Sequence, residues 1–320
     1  MKLTIINDHY FRKLPDALLQ EIKDTAHGYT VTEVEQEGIT AKELVDSDIV
    51  FGRIPPHLLI KLPNLKWQHL ASAGANGLIE KELYANKSML LTKSSGTFGI
   101  PMAEHIVGMM IALGRDFGRY YKKQFEGVWD SYWPVLLDIS DSTVLIIGLG
   151  NIGTEVSRHL SGFGCRLIGM RKNADKPHEV IKDLRPVSQL HKTLSEADYV
   201  IICTPGTAAT DKLFGHKEFE IMKNTAIIIN VGRGMIIDSE ALATALNERT
   251  IYGAGLDVTE PEPLPTGHPL WSAGNILITP HVSAATNVTT ERRARVFIDL
   301  LKRYVAGQEM YNLIDFEAGY

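Results

Sequence analysis

The feature that most constrains the fold is a glycine-rich loop between an apolar strand and a helix. Residues 144–147 are a run of valine, leucine and isoleucine, and a helix-like segment begins at Thr154. The loop between them consists of Gly148, Leu149, Gly150, Asn151, Ile152 and Gly153. Its first glycine permits a tight turn, the second admits a pyrophosphate, and the third lets helix and strand pack closely. The helix N-terminus attracts the anion, so this pattern predicts a dinucleotide-binding domain.

Short apolar strands alternate with helix-like segments along most of the chain. Five strand candidates precede residue 100, at residues 3–6, 30–34, 48–51, 67–70 and 89–92. Six more follow residue 143, at residues 144–147, 166–170, 199–203, 226–230, 253–257 and 276–278. This alternation indicates parallel sheets covered on both faces, and six strands are the number expected of a doubly wound dinucleotide domain.

The chain of 320 residues is long enough for two domains. Pro101 opens an apolar-periodic segment that reads as a long helix. The second sheet is complete by about residue 281, so the helix-like tail at residues 290–306 is expected to return to the first domain. We predict an α/β protein with two doubly wound parallel-sheet domains. A Rossmann cofactor domain at residues 101–286 is inserted in a flavodoxin-like substrate domain at residues 1–100 and 287–320.

Composition excludes several classes of protein. The chain is 44% hydrophobic and 22% charged, which is typical of a globular protein. A formal charge of -5 gives no basic footprint for nucleic acid, and no apolar run has the length of a membrane helix. Cys165 and Cys203 lie in apolar segments, which favours buried free thiols. We predict a cytoplasmic protein with no nucleic-acid, membrane or metal site.

Large aromatic residues cluster after the long helix, outside any obvious core element. They are Tyr120, Tyr121, Phe125, Trp129, Tyr132 and Trp133. So many rings together indicate an interface, and a local satellite core is the alternative. We predict a homodimer through the cofactor domain and this aromatic arm near residues 120–133.

Five further motifs occur in a specific order. They are Ser-Ala-Gly-Ala-Asn at residues 72–76, Ile-Asn-Val-Gly-Arg-Gly at 229–234, Gly-Leu-Asp-Val at 255–258, Glu-Pro-Glu-Pro-Leu at 260–264 and Thr-Pro-His at 279–281. With these motifs the sequence resembles the D-isomer-specific 2-hydroxyacid dehydrogenases, of the glyoxylate or hydroxypyruvate reductase kind. The resemblance covers nearly the whole chain. It implies reduction of small 2-keto acids to D-2-hydroxy acids, and the reverse reaction, with a nicotinamide dinucleotide.

The resemblance assigns three catalytic residues. His281 matches the general acid and base, since imidazole titrates near working pH. Glu262 matches the carboxylate that pairs with this histidine and orients it. Arg233 matches the cation that binds the substrate carboxylate and carbonyl. Each has a plainer alternative, as a strand-end cap, a solvated loop acid or a turn residue. All three follow predicted strands, where open α/β sheets bind ligands, and this favours the joint assignment.

Other contacts rest mainly on the resemblance. The substrate-binding set is Ser72, Ala73, Gly74, Arg233 and His281. The cofactor-binding set is Gly148, Gly150, Asn151, Ile152, Gly153, Arg171, Lys172, Thr204, Pro205, Val231, Gly232, Arg233, Asp257 and His281. In the second set, Asp257 matches an acid that bonds the nicotinamide carboxamide. An ordinary tight turn at residues 72–74 and a strand-end acid at 257 are the alternatives.

The end of the second cofactor-domain strand bears on the identity of the cofactor. An acid usually stands there and accepts bonds from the ribose hydroxyls. Here Arg171 and Lys172 stand in its place, and cations suit the 2′-phosphate of NADP(H). Asp175 is the alternative acid if the turn is longer, and a solvated cation pair is the other alternative. We predict NADP(H) over NAD(H).

Competing functions remain at this stage. Formate dehydrogenase relatives are disfavoured because they carry glutamine where this chain has Glu262. Phosphoglycerate dehydrogenases stay open, although many of them have an additional regulatory domain. From another class, a dinucleotide-sensing corepressor or scaffold protein of the same fold is the alternative, and turnover of a 2-keto acid would discriminate the two.

Overall fold

The computed structural model describes residues 1–7, 13–75, 77–131 and 137–316. Three residues of the motifs above, Asn76, Tyr132 and Trp133, lie outside these ranges. The chain divides into two compact units, Met1–Phe98 with Ala285–Tyr320, and Gly99–Ala284. We call the first the split unit and the second the inserted unit. Their assignment to substrate and cofactor stays a prediction.

Strands and helices alternate within the described residues. The strands are β1 (Lys2–Asn7), β2 (Thr30–Glu35), β3 (Ile49–Phe51), β4 (Trp67–Leu70), β5 (Leu90–Lys93), β6 (Thr143–Ile147), β7 (Arg166–Met170), β8 (Asp183–Arg185), β9 (Tyr199–Ile202), β10 (Ile227–Asn230), β11 (Gly253–Leu256) and β12 (Ile276–Ile278). The helices are α1 (Asp16–Thr25), α2 (Ala41–Leu44), α3 (Pro56–Leu59), α4 (Gly99–Gly114), α5 (Phe117–Phe125), α6 (Asn151–Ser161), α7 (Leu190–Leu194), α8 (His216–Ile221), α9 (Ser239–Asn247) and α10 (Thr289–Val305). None of these described helices has the length and apolar character needed to cross a membrane.

The split unit is a five-stranded parallel sheet in the order β2-β1-β3-β4-β5. This is the flavodoxin-like order. The predicted tail helix is α10, and its apolar face is buried against this sheet. Phe297 of α10 stacks on Phe51 of β3 with ring centroids 4.2 Å apart. The C-terminal tail therefore completes the core of the split unit.

The inserted unit is a seven-stranded parallel sheet in the order β12-β11-β10-β9-β6-β7-β8. From β6 the chain moves outward to β7 and β8, then restarts on the other side at β9. The strand order therefore reverses between β6 and β9, where doubly wound sheets bind their ligands. The predicted fold class is confirmed: a Rossmann domain is inserted in a flavodoxin-like domain.

Two details differ from the prediction. The inserted unit has a seventh strand, β8, whose sequence Asp-Leu-Arg contains no apolar run to predict it. Its Arg185 instead pairs with Asp183 and Glu196, at 3.0 and 2.8 Å, so ion pairs accompany this edge strand. Helix α4 begins at Gly99, two residues before the predicted start. Pro101 still lies in the first turn, where a missing N–H costs nothing.

A chain of polar groups is buried inside the split unit around His69, which is fully buried. Ser94 Oγ donates to Leu70 O at 3.0 Å, so it accepts from His69 Nε2, also at 3.0 Å. Thr92 Oγ1 accepts from Trp67 Nε1 and lies 2.7 Å from His69 Nδ1. With one proton on Nε2, the neutral ring satisfies every partner. Burial lowers the pKa of His69 from 6.5 to about 3.

This buried histidine predicts a loss of stability in acid. Below pH 6.5 the unfolded chain protonates His69, but the folded chain does not until about pH 3. In that window the free energy of unfolding is expected to fall by about 1 kcal/mol per pH unit from this residue. His69→Phe removes the titrating group. In urea unfolding, the free energy of unfolding of the wild type should therefore fall faster than that of the variant as pH drops below 6.5, so the difference between the two values shrinks. Parallel pH curves for the two proteins would contradict this role.

Candidate active site

The carboxyl ends of five neighbouring strands line up along one edge of the inserted sheet. Ile147 pairs with Ile202, Ile202 with Asn230, Asn230 with Leu256, and Leu256 with Ile278. Each is the last residue of its strand. Parallel strands all run toward the same edge, so the segments that follow these residues emerge side by side. Most of the predicted site residues stand on those segments.

The glycine loop follows β6 as the sequence predicts, but α6 begins at Asn151, three residues before the predicted start, so the last three loop residues form its first turn. Gly148 has a left-handed backbone with φ of 95°, and a Cβ there would lie 2.9 Å from the backbone of Cys203. A Cβ on Gly153 would lie 2.0 Å from Gly148 O. Both positions therefore exclude a side chain, the first through its turn and the second through close packing.

Gly150 is different, because the protein itself does not require a glycine there. Its φ of -82° suits any residue, and a Cβ at this position would meet nothing within 4 Å. Helix α6 begins at the next residue, Asn151, without a side-chain cap, and Ile152 follows in the first turn. Open space beside unpaired N–H groups fits the pyrophosphate of a dinucleotide.

A buried asparagine shapes the turn that carries Arg233. Asn230 Oδ1 accepts from Gly232 N at 3.0 Å, and its Nδ2 donates to Arg233 O at 2.9 Å. The turn then packs against the next loop, since a Cβ on Gly234 would lie 1.9 Å from Thr259 O. The backbone around Arg233 is thus fixed from both sides.

The guanidinium of Arg233 is half-buried. Its Nη1 donates to Gly232 O at 2.7 Å. Burial lowers the pKa of Arg233, and the nearby Glu262 carboxylate opposes that shift. The ordinary pKa of a guanidinium lies far above neutral pH, so Arg233 keeps its charge at working pH. Arg233 therefore supplies a permanent cation with further N–H donors for an anionic ligand.

His281 and Glu262 form a close pair, with Nδ1 and Oε1 2.6 Å apart. A carboxylate only accepts, so Nδ1–H donates and Nε2 is left to exchange a proton with a ligand. The two side chains are 49% and 42% exposed. An ion pair this exposed contributes only about 0–1 kcal/mol to stability. His281 also has a left-handed backbone with φ of 56°, which is uncommon for any residue other than glycine.

Asp257 anchors the segment that carries His281. Its buried carboxylate accepts from Thr279 Oγ1 at 2.7 Å, Val282 N at 2.9 Å and Ser283 N at 3.0 Å. Its carbonyl oxygen accepts from His281 N at 2.8 Å. The acid that the sequence assigns to the nicotinamide carboxamide is therefore occupied by its own chain. The carboxamide contact stays a prediction.

The loop after β9 lies beside the glycine loop, and the loop after β10 lies beside the loop after β9. A Cβ on Gly148 would lie 2.9 Å from Thr204 N, and one on Gly232 would lie 2.5 Å from Thr204 O. Val231 N donates to Ile202 O at 3.2 Å, which continues the strand ladder past its end. Thr204 thus borders the loop predicted to hold the pyrophosphate, and Pro205 follows it in the chain.

Two cations stand at the end of β7. Arg171 Nη2 donates to Pro177 O at 3.3 Å, while its buried Nε has no hydrogen-bond partner among the described residues. Lys172 is exposed. The loop is fastened by His178, whose Nε2 lies 3.1 Å from Thr154 Oγ1 on α6. Asp175, the alternative acid, is exposed in the same loop.

The predicted substrate loop belongs to the split unit, where it follows β4. Ser72 Oγ donates to Gly74 O at 2.7 Å, and Ser94 N donates to Ser72 O at 3.1 Å. Ser72 is exposed, whereas Ala73 and Gly74 are half-buried. These contacts make a tight turn, and its role toward a substrate stays a prediction.

Three residues hold the segments that carry Arg233 and His281, and the sequence motifs assign no role to them. Asn230 and Thr279 stand inside quoted motifs, and their position beside Arg233 and His281 is the signal that marks them. His105 lies on α4, where its Nε2 is 3.1 Å from Thr279 Oγ1. No local pattern connects positions 105 and 279, so only the fold brings them together.

The fold and the site define a dinucleotide-dependent dehydrogenase, and the comparisons identify the family. Residues 107–283 match the model for the D-isomer specific 2-hydroxyacid dehydrogenase, NAD binding domain. The chain is 30% identical to a glyoxylate/hydroxypyruvate reductase B from Escherichia fergusonii, over 98% of each chain. This protein therefore belongs to the D-isomer specific 2-hydroxyacid dehydrogenase family and is an NAD(P)-dependent enzyme of that class.

Solved structures agree over the full length. A D-isomer specific 2-hydroxyacid dehydrogenase family protein from Aeromonas salmonicida has a TM-score of 0.85 and 28% identity, covering 98% of this chain and 99% of that one. An NADPH-dependent glyoxylate/hydroxypyruvate reductase from Sinorhizobium meliloti, solved with NADP and malonate, has a TM-score of 0.79 and 25% identity. The superposition covers 98% of this chain and 97% of the Sinorhizobium meliloti chain. Structures of this fold include complexes with NADP and with NAD.

Proposed function

We propose that the protein reduces small 2-keto acids of the glyoxylate and hydroxypyruvate class to D-2-hydroxy acids, with His281 as general acid. The observation that carries the proposal is the 2.6 Å pair of His281 and Glu262 at the sheet edge that also presents Arg233. An exposed pair on a left-handed backbone adds little stability, so a chemical role explains its geometry better than a structural one. The reductase named for the Escherichia fergusonii relative supports the substrate class.

Each residue has a distinct task in this proposal. Arg233 binds the substrate carboxylate and polarises the carbonyl oxygen as negative charge develops there. Glu262 holds the His281 ring through Nδ1, and Nε2 then delivers a proton to that oxygen. In the reverse direction the same nitrogen accepts the proton. The dinucleotide, when bound, supplies the hydride.

The residues around the glycine loop are the ones we propose to hold the dinucleotide. Open space at Gly150 and the uncapped start of α6 at Asn151 and Ile152 suit its pyrophosphate. Thr204 contacts the glycine loop and Gly232 contacts Thr204, and we propose that their chain neighbours Pro205 and Val231 complete this side of the site. Ser72, Ala73 and Gly74 are proposed to receive the substrate carboxylate, because small residues let a ligand approach the backbone.

Replacing His281 tests the catalytic assignment. His281→Ala is expected to lower NADPH oxidation with glyoxylate or hydroxypyruvate by roughly a hundredfold or more, since positioned proton transfer is lost. Dinucleotide affinity should stay nearly unchanged, because the ring is not part of the pyrophosphate site. Initial rates and fluorescence titration of NADPH measure the two quantities.

A histidine elsewhere on the inserted unit provides the control. His191 pairs with Glu218 on the surface, so His191→Ala should keep wild-type rates. A large loss of dinucleotide affinity in His281→Ala would contradict its role as an acid. Tight dinucleotide binding by the wild type without turnover of any 2-keto acid would favour a sensing protein instead.

We also propose that NADP(H) is preferred over NAD(H). Arg171 has a buried Nε without a partner among the described residues, and Lys172, the next residue in the chain, is exposed. A 2′-phosphate would give both cations an anionic partner. The Sinorhizobium meliloti relative, named as NADPH-dependent, supports this preference.

Arg171→Ser is expected to weaken NADPH binding by roughly ten- to a hundredfold, the effect of losing a charged hydrogen bond, and to leave NADH almost unchanged. Gly150→Ala is the matched control: the added methyl meets no protein atom, so the fold should persist while both dinucleotides weaken alike. Fluorescence titrations with the two cofactors measure the ratio. An unchanged ratio in Arg171→Ser would show that this cation is a bystander.

The aromatic arm is the surface through which we propose a homodimer. Phe117, Tyr121 and Phe125 of α5 follow at four-residue intervals and are 53%, 62% and 74% exposed. This spacing places them on one face of the helix. Trp129 follows at 95% exposure. An apolar stripe of this kind is typical of an interface.

Light scattering tests the assembly. The wild type is expected to have the mass of a dimer, and Tyr121→Glu with Phe125→Glu should yield a folded monomer, because charge is placed in the apolar contact. Lys122→Glu, on the same helix but outside the aromatic stripe, is the control for added negative charge. A monomeric wild type at micromolar concentration would overturn the proposal.

A reducing cytoplasm is the compartment we propose. Cys165 and Cys203 are both free thiols. Burial raises the pKa of Cys203 to about 12, so this thiol stays protonated and unreactive. Two unpaired thiols suit a compartment where disulfides do not form.

A further inference from the structure

Next to the turn that carries His281, a line of three side chains joins α4 to the residue that follows β11. His105 Nε2 lies 3.1 Å from Thr279 Oγ1, and Thr279 Oγ1 donates to Asp257 Oδ1 at 2.7 Å. His105 and Thr279 are half-buried, and Asp257 is 1% exposed. The first and last members are 152 positions apart in the chain, so only tertiary packing aligns them.

The donors and acceptors in this line of hydrogen bonds all follow one direction, from His105 to Asp257. The Asp257 carboxylate accepts from two backbone N–H groups, those of Val282 and Ser283, as well as from the Thr279 hydroxyl. That hydroxyl has one proton, and it is committed to Asp257. The Thr279 oxygen can therefore only accept from His105, which requires the proton on Nε2. Burial lowers the pKa of His105, which favours this neutral form over the cation.

The end of the line bears on the position of His281. Three successive amides, those of His281, Val282 and Ser283, all donate to Asp257, the first to its carbonyl and the others to its carboxylate. These bonds fix the left-handed backbone of His281. A carboxylate that rotated away from this arrangement would release two of the three amides. The Thr279 hydroxyl is a third donor to that carboxylate and opposes such a rotation.

We propose that His105 is a positioning residue for the candidate acid: it fixes the Thr279 hydroxyl on Asp257, and Asp257 fixes the backbone turn of His281. His105 makes no contact with a reacting group in this role. It acts entirely through Thr279. The kinetic consequence rests on the proposed function of His281, whereas the ordering of the turn does not.

The test uses two variants with apolar side chains of similar shape, one that removes both hydrogen bonds of the Thr279 hydroxyl and one that removes only the bond from His105. Thr279→Val removes the hydroxyl, and His105→Phe removes the Nε2 donor. We expect kcat to fall about tenfold in each, as small displacements of a catalytic group have large effects, with KM for the dinucleotide nearly unchanged. His105→Gln, which places an amide N–H near the position of Nε2, should restore most of the rate. The double variant His105→Phe with Thr279→Val should lose no more than Thr279→Val alone, because His105 acts through that hydroxyl.

Hydrogen exchange gives a readout that does not need turnover. In the free protein, both single variants should exchange the amides of Val282 and Ser283 faster, with the amides of β10 unchanged. His191→Phe, a surface histidine of the same unit, should change neither rate nor exchange. If the wild type turns over no 2-keto acid, the proposed function fails and the exchange data alone decide this inference.

Three outcomes would overturn the proposal. The first is unchanged exchange at Val282 and Ser283 in both variants. The second is additive loss of rate in the double variant, which would mean that His105 acts by another route. The third is a lower melting temperature with kcat unaffected and exchange raised throughout the inserted unit, which would make the line of bonds a purely structural element.

Discussion

The site depends on one constraint, the shared direction of the strands in the inserted sheet. Because β6, β9, β10, β11 and β12 are parallel and in register, their last residues lie in a row. Segments far apart in sequence therefore begin side by side, and short loops suffice to bring a glycine turn, a cation, an acid and an imidazole to one edge. An antiparallel sheet would send alternate loops to the opposite edge.

Crowding along that edge explains why the fold requires a glycine at some positions and not at others. The backbones of neighbouring loops approach so closely that a methyl on Gly153 or Gly234 would overlap a carbonyl oxygen. Gly150 faces open space and has an unrestricted φ. Glycine therefore occurs at this sheet edge for two different reasons, close packing at Gly153 and Gly234 and another reason at Gly150. The order of the glycines in the loop predicts this difference between Gly150 and Gly153, whereas Gly234 lies outside that loop and only the structure shows why it is a glycine.

The sequence predicts the parts of this protein that arise from local periodicity and local motifs. Apolar runs identify the strands of both sheets except β8, whose Asp-Leu-Arg sequence has ion pairs in place of an apolar run. The motifs also point to Arg233, Glu262 and His281. They do not predict how those residues are supported. The hydrogen bonds from Asn230 to the Arg233 turn and the line from His105 to Asp257 are set by the folded structure. Hydrogen-bond partners of this kind leave no periodic signal in one sequence.

Support of this kind also explains how an exposed residue can be held rigidly. His281 is half exposed and has a left-handed backbone, a strained conformation that persists only where the surrounding structure holds it. The turn contributes little apolar burial, so hydrogen bonds to the buried Asp257 must hold it. A buried carboxylate is costly unless its oxygens are satisfied, and the same three donors that satisfy Asp257 fix the turn. The same three hydrogen bonds therefore stabilise the buried carboxylate of Asp257 and order the turn of His281. Loss of any one donor destabilises the carboxylate and loosens the turn.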